Sequence, residues 1–111
     1  MLKKEILRKK EDFRALYEAG KSVPDRYVVL FCRKNDLPYN RTAFLASKKV
    51  GNSVQRNRAK RLMKESYRQN ADSFATGYDL VFIARNTING RKLQDVERSL
   101  LNAARKGKVT E

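Results

Sequence analysis

Val54-Gln55-Arg56-Asn57-Arg58-Ala59-Lys60-Arg61-Leu62-Met63-Lys64-Glu65-Ser66-Tyr67-Arg68 carries two patterns at once. Ala59, Leu62, Met63, Ser66 and Tyr67 recur at i, i+3, i+4, i+7 and i+8, which is the stripe of a helix with one side in a core. With a start near Ser53, residues Asn57, Lys60, Arg61, Lys64 and Arg68 fall on the other side. Only Glu65 interrupts the cations, and like charges four apart on a helix repel one another. A merely solvated face usually alternates in sign. This one implies a polyanion outside the chain.

Outward from that helix the apolar period changes to that of strands. Upstream, after Pro24, Tyr27-Val28-Val29-Leu30-Phe31-Cys32 is β-branched and aromatic and ends in the turn-forming Lys34-Asn35-Asp36-Leu37-Pro38. Arg41 to Ser47 returns as a second strand, so the two are expected to form a hairpin, with a short extra strand possible near Val50. Downstream, Tyr78-Asp79-Leu80-Val81-Phe82-Ile83-Ala84 is apolar on nearly both sides, as a central strand must be. Lys10 to Ala19, with Phe13, Leu16 and Tyr17 at helical spacing and Gly20 as C-cap, predicts a first helix. Lys92 to Lys106, with Leu93, Val96, Leu100, Leu101 and Ala104, predicts a last one. The order α-β-β-(β)-α-β-α defines an α+β fold, a two-layer sandwich with a mostly antiparallel sheet. A chain of 111 residues accommodates one such domain, spanning 1–111.

Composition narrows the partner. Against 12 Asp and Glu stand 26 Lys and Arg, a net charge of +14, far more than solubility needs. Cations of this density bind nucleic acid by releasing condensed counterions. No apolar run is long enough to span a bilayer and there is no Trp to anchor an interfacial helix, so a membrane is not expected. The N-terminus lacks the apolar stretch of a secretory signal, and the single Cys32 suits packing in a reducing compartment. The chain has no His, the usual acid–base group of a metal-independent nuclease. Its Asp residues are scattered, so neither a protein active site nor a metal site is predicted.

Two binding surfaces are predicted. Gly51-Asn52-Ser53 places a turn before the basic helix, whose free N–H groups suit phosphate. Together with Lys48 and Lys49 it extends the cationic segment through Arg56, Asn57, Arg58, Lys60, Arg61, Lys64 and Arg68. The second surface is aromatic: Phe13 and Tyr17 share a helix face, and Tyr27, Val29 and Phe31 alternate along one side of a strand. Bases of single-stranded RNA stack on such platforms. Periodicity alone favours a core role for these rings, and Phe44, Phe74 and Phe82 are assigned to the core.

The run Ser47-Lys48-Lys49-Val50-Gly51-Asn52-Ser53-Val54, followed by Arg56-Asn57-Arg58 and Lys60-Arg61, closely resembles the signature of the bacterial ribonuclease P protein family. The likeness extends to Asp12-Phe13 and Gly20 upstream and to Tyr78-Asp79 and Ala84-Arg85 downstream, almost the whole chain. It implies a cytoplasmic subunit of a ribonucleoprotein in which ribonuclease P RNA, with its own Mg²⁺, cleaves the 5′ leader from precursor tRNA and leaves a 5′-phosphate. The protein itself is expected to bind no cofactor and to need no obligate protein partner. Arg56, Asn57, Arg58, Lys60, Arg61 and Lys64 match the helix that contacts the RNA subunit, and Lys48, Lys49, Asn52 and Arg68 are expected on the same surface. Phe13, Tyr17, Val29 and Phe31 match the cleft that holds the leader, and Tyr27 is expected to join them. The resemblance also implies a left-handed strand–helix–strand crossover, against the usual rule. Ser53 stands where the family often has Ala, and Tyr17 where another aromatic is frequent; Ser53 is expected to be able to cap the helix. A ribosomal or general RNA-binding protein is the alternative: it would explain the charge without the cleft.

Overall fold

A computed structural model describes residues 2–111. Helix α1 (Lys10–Ala19) leads into β1 (Lys21–Pro24), β2 (Val28–Lys34) and β3 (Arg41–Leu45). Helix α2 (Ser53–Asn70), β4 (Tyr78–Ala84) and helix α3 (Leu93–Lys106) follow. The sheet order is β1-β2-β4-β3. β1 with β2 and β2 with β4 are antiparallel, whereas β3 runs parallel to β4.

The expected hairpin between β2 and β3 does not form, because β4 lies between them. Leu80, Val81 and Phe82 are completely buried, so β4 needs a strand on each side and cover on each face. β3 begins with Arg41 and Thr42 and takes the sheet edge instead. The connection between β2 and β3 is stapled across the end of β4: Asn35 N–H donates to the Gly77 carbonyl at 2.9 Å, and Tyr78 N–H to Asn40 Oδ1 at 2.8 Å. The additional strand is also misplaced by the sequence reading. It is Lys21–Pro24, paired with β2, while Lys48 to Val50 form a turn. Four short residues after Gly20 carry too little apolar periodicity to announce a strand.

Register sorts the sheet into two faces. Val28, Leu30 and Cys32 stand beside Ala84, Phe82 and Leu80, and Phe44 beside Phe82. This face is closed by α2 and α3 into the main core, to which α2 contributes Ala59, Met63, Ser66 and Tyr67. Burial pushes the Cys32 thiol up from its ordinary pKa, in keeping with a packing role. On the other face Val29 and Phe31 stand beside Ile83 and Val81, and Ala43 and Leu45 complete it. Among the described residues only α1 and the segment before it lie there, a partial layer added to the expected two. Leu7 and Leu16 are buried against Ala43 and Val81. Ile6 bridges to Thr42, and Leu7 N–H donates to the Thr42 carbonyl at 2.9 Å, which shields the free edge of β3.

Local chemistry fixes the ends of the two helices that matter for function. Gly20 closes α1, its N–H on the Leu16 carbonyl at 2.8 Å, and a Cβ there would run into that same carbonyl oxygen. The cap of α2 is Asn52 rather than Ser53, which is the first helical residue. Asn52 Oδ1 accepts from Gln55 N–H and Gln55 Oε1 accepts from Asn52 N–H, both at 2.9 Å. Gly51 precedes the cap with φ +143, and a side chain there would collide with Gln55.

Candidate nucleic-acid interface

Helix α2 presents its cations as its periodicity predicts. Asn57, Lys60, Arg61 and Lys64 are exposed on the side away from the core and line one groove together with Phe44. None of Lys60, Arg61 and Lys64 forms an ion pair among the described residues. The one carboxylate of the helix is engaged elsewhere. Glu65 accepts from Arg68 Nε at 2.9 Å and from Arg68 Nη2 at 2.5 Å, and also from Gln69 Nε2 at 3.0 Å. The hydrogen bond from Arg68 holds the Glu65 carboxyl below its ordinary pKa. Arg68 is therefore the most nearly neutralised member of the predicted set.

The remaining members sit at the start of the helix. Arg56 Nη1 donates to the Gly51 carbonyl at 3.0 Å and Arg58 Nη2 to the Arg91 carbonyl at 2.6 Å. These two guanidiniums are held by backbone, with donors to spare. The side-chain amide oxygen of Asn52 is committed to its cap. Lys48 and Lys49 are exposed in the preceding turn.

The aromatic residues gather on the half-open face. Tyr17 packs edge-on against Phe31 at 5.0 Å between ring centroids, and Phe13 lies 6.2 Å from Tyr17. Tyr17 is 44% exposed, and Phe13, Val29 and Phe31 are only partly buried. Lys10, Phe13, Arg14, Tyr17, Glu18 and Leu45 line a cavity of about 590 Å³. Lys10, Arg14 and Leu45 were not anticipated as lining residues. The signal for the two cations was present, since Lys10, Arg14 and Tyr17 share the i, i+4, i+7 spacing of one helix face. Arg41 pins α1 above the sheet: it makes a two-pronged bond to buried Asp79 at 2.8 and 2.7 Å and reaches Asp12 at 3.1 Å. The bond to Asp79 raises the Arg41 pKa, so the clamp stays charged.

Tyr27 does not join this cleft. It precedes β2 and lies in the bend formed by Arg26 and Tyr27, so the alternation that relates Val29 to Phe31 does not extend back to it. Its ring is buried in the main core at the α3 side, with the Arg91 guanidinium 5.2 Å over it, and its N–H donates to Ser99 Oγ at 3.0 Å. Phe44, assigned to the core, is only partly buried and faces the cations of α2. Phe74 and Phe82 are core residues as expected. Among the described residues no group of three or more His, Cys, Asp or Glu could hold a metal ion.

A helix whose outward Lys60, Arg61 and Lys64 form no ion pair among the described residues, beside a half-open aromatic face on one small α+β scaffold, has the make-up of an RNA-binding protein. The family described as Ribonuclease P matches residues 1–108. A ribonuclease P protein component of Clostridium botulinum (strain Langeland) is 49% identical over 109 residues, 97% of this chain and 98% of that protein. One from Alkaliphilus metalliredigens is 46% identical over 103 residues, 93% of each chain. The solved RNase P protein of Staphylococcus aureus superposes with a TM-score of 0.86 at 28% identity, covering 96% of this chain and 98% of that one. That of Thermotoga maritima gives 0.80 at 32% identity, covering 88% and 93%. The chain belongs to the ribonuclease P protein family. Its work is tRNA processing, as the protein subunit of the ribonuclease P ribonucleoprotein.

Proposed function

We propose a division of labour between the two surfaces: α2 anchors ribonuclease P RNA, and the cleft beneath α1 holds the single-stranded 5′ leader of precursor tRNA. The observation that carries this reading is the absence of any ion pair at Lys60, Arg61 and Lys64 among the described residues. Three adjacent cations with no internal counter-charge favour an external polyanion, and the regular phosphates of a structured RNA provide one. The cleft suits a different ligand. Its partly exposed rings offer stacking to unpaired bases, while Lys10 and Arg14 at its rim attract the backbone.

Hydrolysis belongs to the RNA subunit and its Mg²⁺, and the protein acts by positioning. Holding the leader and the catalytic RNA on one scaffold converts their encounter into an oriented, effectively intramolecular one. The +14 charge offsets repulsion between the two RNAs, work that free Mg²⁺ would otherwise have to do. The protein binds no cofactor of its own and needs no second protein. Its compartment is the cytoplasm, in line with bacterial relatives and with described residues that include no helix long and apolar enough to cross a membrane.

The test is to mix the purified protein with ribonuclease P RNA at low Mg²⁺ and follow release of the 5′ leader from precursor tRNA. The expected result is cleavage by the mixture well above that of RNA alone, and none by protein alone. Cleavage by the protein alone, or no stimulation of the RNA, would contradict the reading.

A further inference from the structure

Phe44 stands where the two surfaces meet. It lies on edge strand β3, turned toward α2, with its ring stacked on Phe82 at 5.6 Å and 8° and tilted against Tyr67 at 6.0 Å. Those contacts fix the ring but do not cover it. Its exposed part lines a groove of about 440 Å³ whose other walls are Asn57, Lys60, Arg61 and Lys64. Phe44 and Lys64 also line a neighbouring groove of about 230 Å³ that contains Phe13 and Leu45 of the cleft. A continuous track therefore leads from the cleft, around the edge of β3, to the cationic stripe.

We propose that the groove over Phe44 holds one unpaired nucleotide of RNA, its base against the Phe44 ring. This rests on the reading of α2 as an RNA-binding helix and adds a base-reading element to it. The chemistry of the walls is that of a nucleotide. An aromatic surface takes the base, the Asn57 amide offers a donor and an acceptor to its polar edge, and three cations surround the phosphates. A base within a duplex cannot reach such a ring, so the groove selects an unstacked nucleotide where the cationic stripe alone would accept any phosphate backbone. The competing role for Phe44 is an apolar footing for the stems of Lys60 and Lys64. Leu would serve that role nearly as well, and Leu cannot stack.

The chain contains no Trp, so Phe44→Trp introduces a single indole into the groove. Ribonuclease P RNA is expected to quench its fluorescence, whereas inorganic polyphosphate, which has charge and no bases, leaves it unchanged. Phe44→Leu is expected to weaken RNA binding by about 5-fold or more, the size of one lost base stack, with the slope against salt concentration unchanged. Two sources of the nucleotide are separable. A loss seen with ribonuclease P RNA alone assigns it to that RNA, and a loss seen only when the assembled complex binds precursor tRNA assigns it to the leader. No quenching by either RNA, or Phe44→Leu binding both within twofold of the parent, overturns the proposal. Lys60→Ala with Lys64→Ala is the control on its foundation. If that pair leaves affinity and salt slope unchanged, the reading of α2 fails. If it flattens the slope while both Phe44 variants are silent, the nucleotide groove alone fails.

Discussion

The two faces of the sheet are built from the same kinds of side chain and end up in different states. On one face Val28, Leu30, Leu80 and Phe82 are completely buried beneath α2 and α3. On the other, Phe31, Leu45 and Ile83 remain partly open, because α1, the one α-helix above them among the described residues, has 10 residues. Ten helical residues extend about 15 Å, less than a seven-residue strand at about 3.3 Å per residue. Aromatic surface left open in this way suits the leader-holding role proposed for it, since closing it would have stabilised the fold. The difference teaches that alternation along a strand fixes which residues share a face and leaves open whether that face is covered.

The largest effect that separates the faces is on stability. Phe82→Ala is expected to cost about 3–5 kcal/mol in urea denaturation, as for a fully buried ring that leaves a cavity. Phe31→Ala should cost clearly less, and equal losses would show that the half-open face is as much core as the covered one. Next comes the triple change Lys60→Ala, Arg61→Ala and Lys64→Ala on the outer side of α2. It should reduce affinity for ribonuclease P RNA roughly 100-fold and lower the slope of log K against log salt by about 2 to 3. Melting temperature should scarcely move, because the three side chains are exposed and unpaired. Smaller again is the effect of Phe31→Ala or Phe13→Ala on substrate. Binding of precursor tRNA to the assembled complex should fall by about 1–3 kcal/mol, one stacked base, while binding of mature tRNA is unchanged. Equal losses on both substrates would remove the leader from the cleft.

The same contrast governs what could be read from the sequence. Helix α2 is legible because two independent periodicities, apolar and cationic, agree between Asn57 and Arg68, well inside a helix that runs from Ser53 to Asn70. β4 was legible because Tyr78 to Ala84 is apolar on both sides. Strand pairing was not, since local pattern shows that β2 and β3 are strands but cannot show that β4, more than 30 residues later, takes the place between them. Alternation misplaces Tyr27 because it extends the strand period into the bend at Arg26 and Tyr27, and it assigns Phe44 wholly to the core because nothing local indicates that β3 is an edge. Phe13, Tyr17 and Phe31 could be placed on shared faces from spacing. Their assignment to a cleft rather than a core came from family resemblance, and their partial exposure depends on the length of α1 relative to the sheet.

Each face is also held by a polar clamp, and the weaker clamp gives the smallest effect. Arg41 ties α1 to the open face through Asp12 and Asp79, whereas Asp25 ties the turn between β1 and β2 to α3 on the covered one. Asp25 accepts from Ser99 Oγ at 2.7 Å and from Lys106 Nζ at 3.0 Å. Burial pushes the Asp25 carboxyl up, but bonds from Ser99, the Arg26 backbone and Lys106 outweigh it and hold the pKa below its ordinary value. A depressed carboxyl stabilises the fold above its unfolded pKa, near 3.9, and that contribution is lost as pH falls through the folded value. Lys106 is 61% exposed, so solvent screens the pair and Asp25→Asn should cost less than about 1 kcal/mol at pH 7. The difference in urea midpoint between parent and Asp25→Asn should hold steady at neutral pH and shrink as pH is taken below the unfolded carboxyl pKa of about 3.9, where folded Asp25 takes up its proton. A difference that stays constant over this range would mean that the Asp25 carboxylate charge contributes nothing, leaving apolar burial and the neutral hydrogen bonds to hold α3 against the sheet.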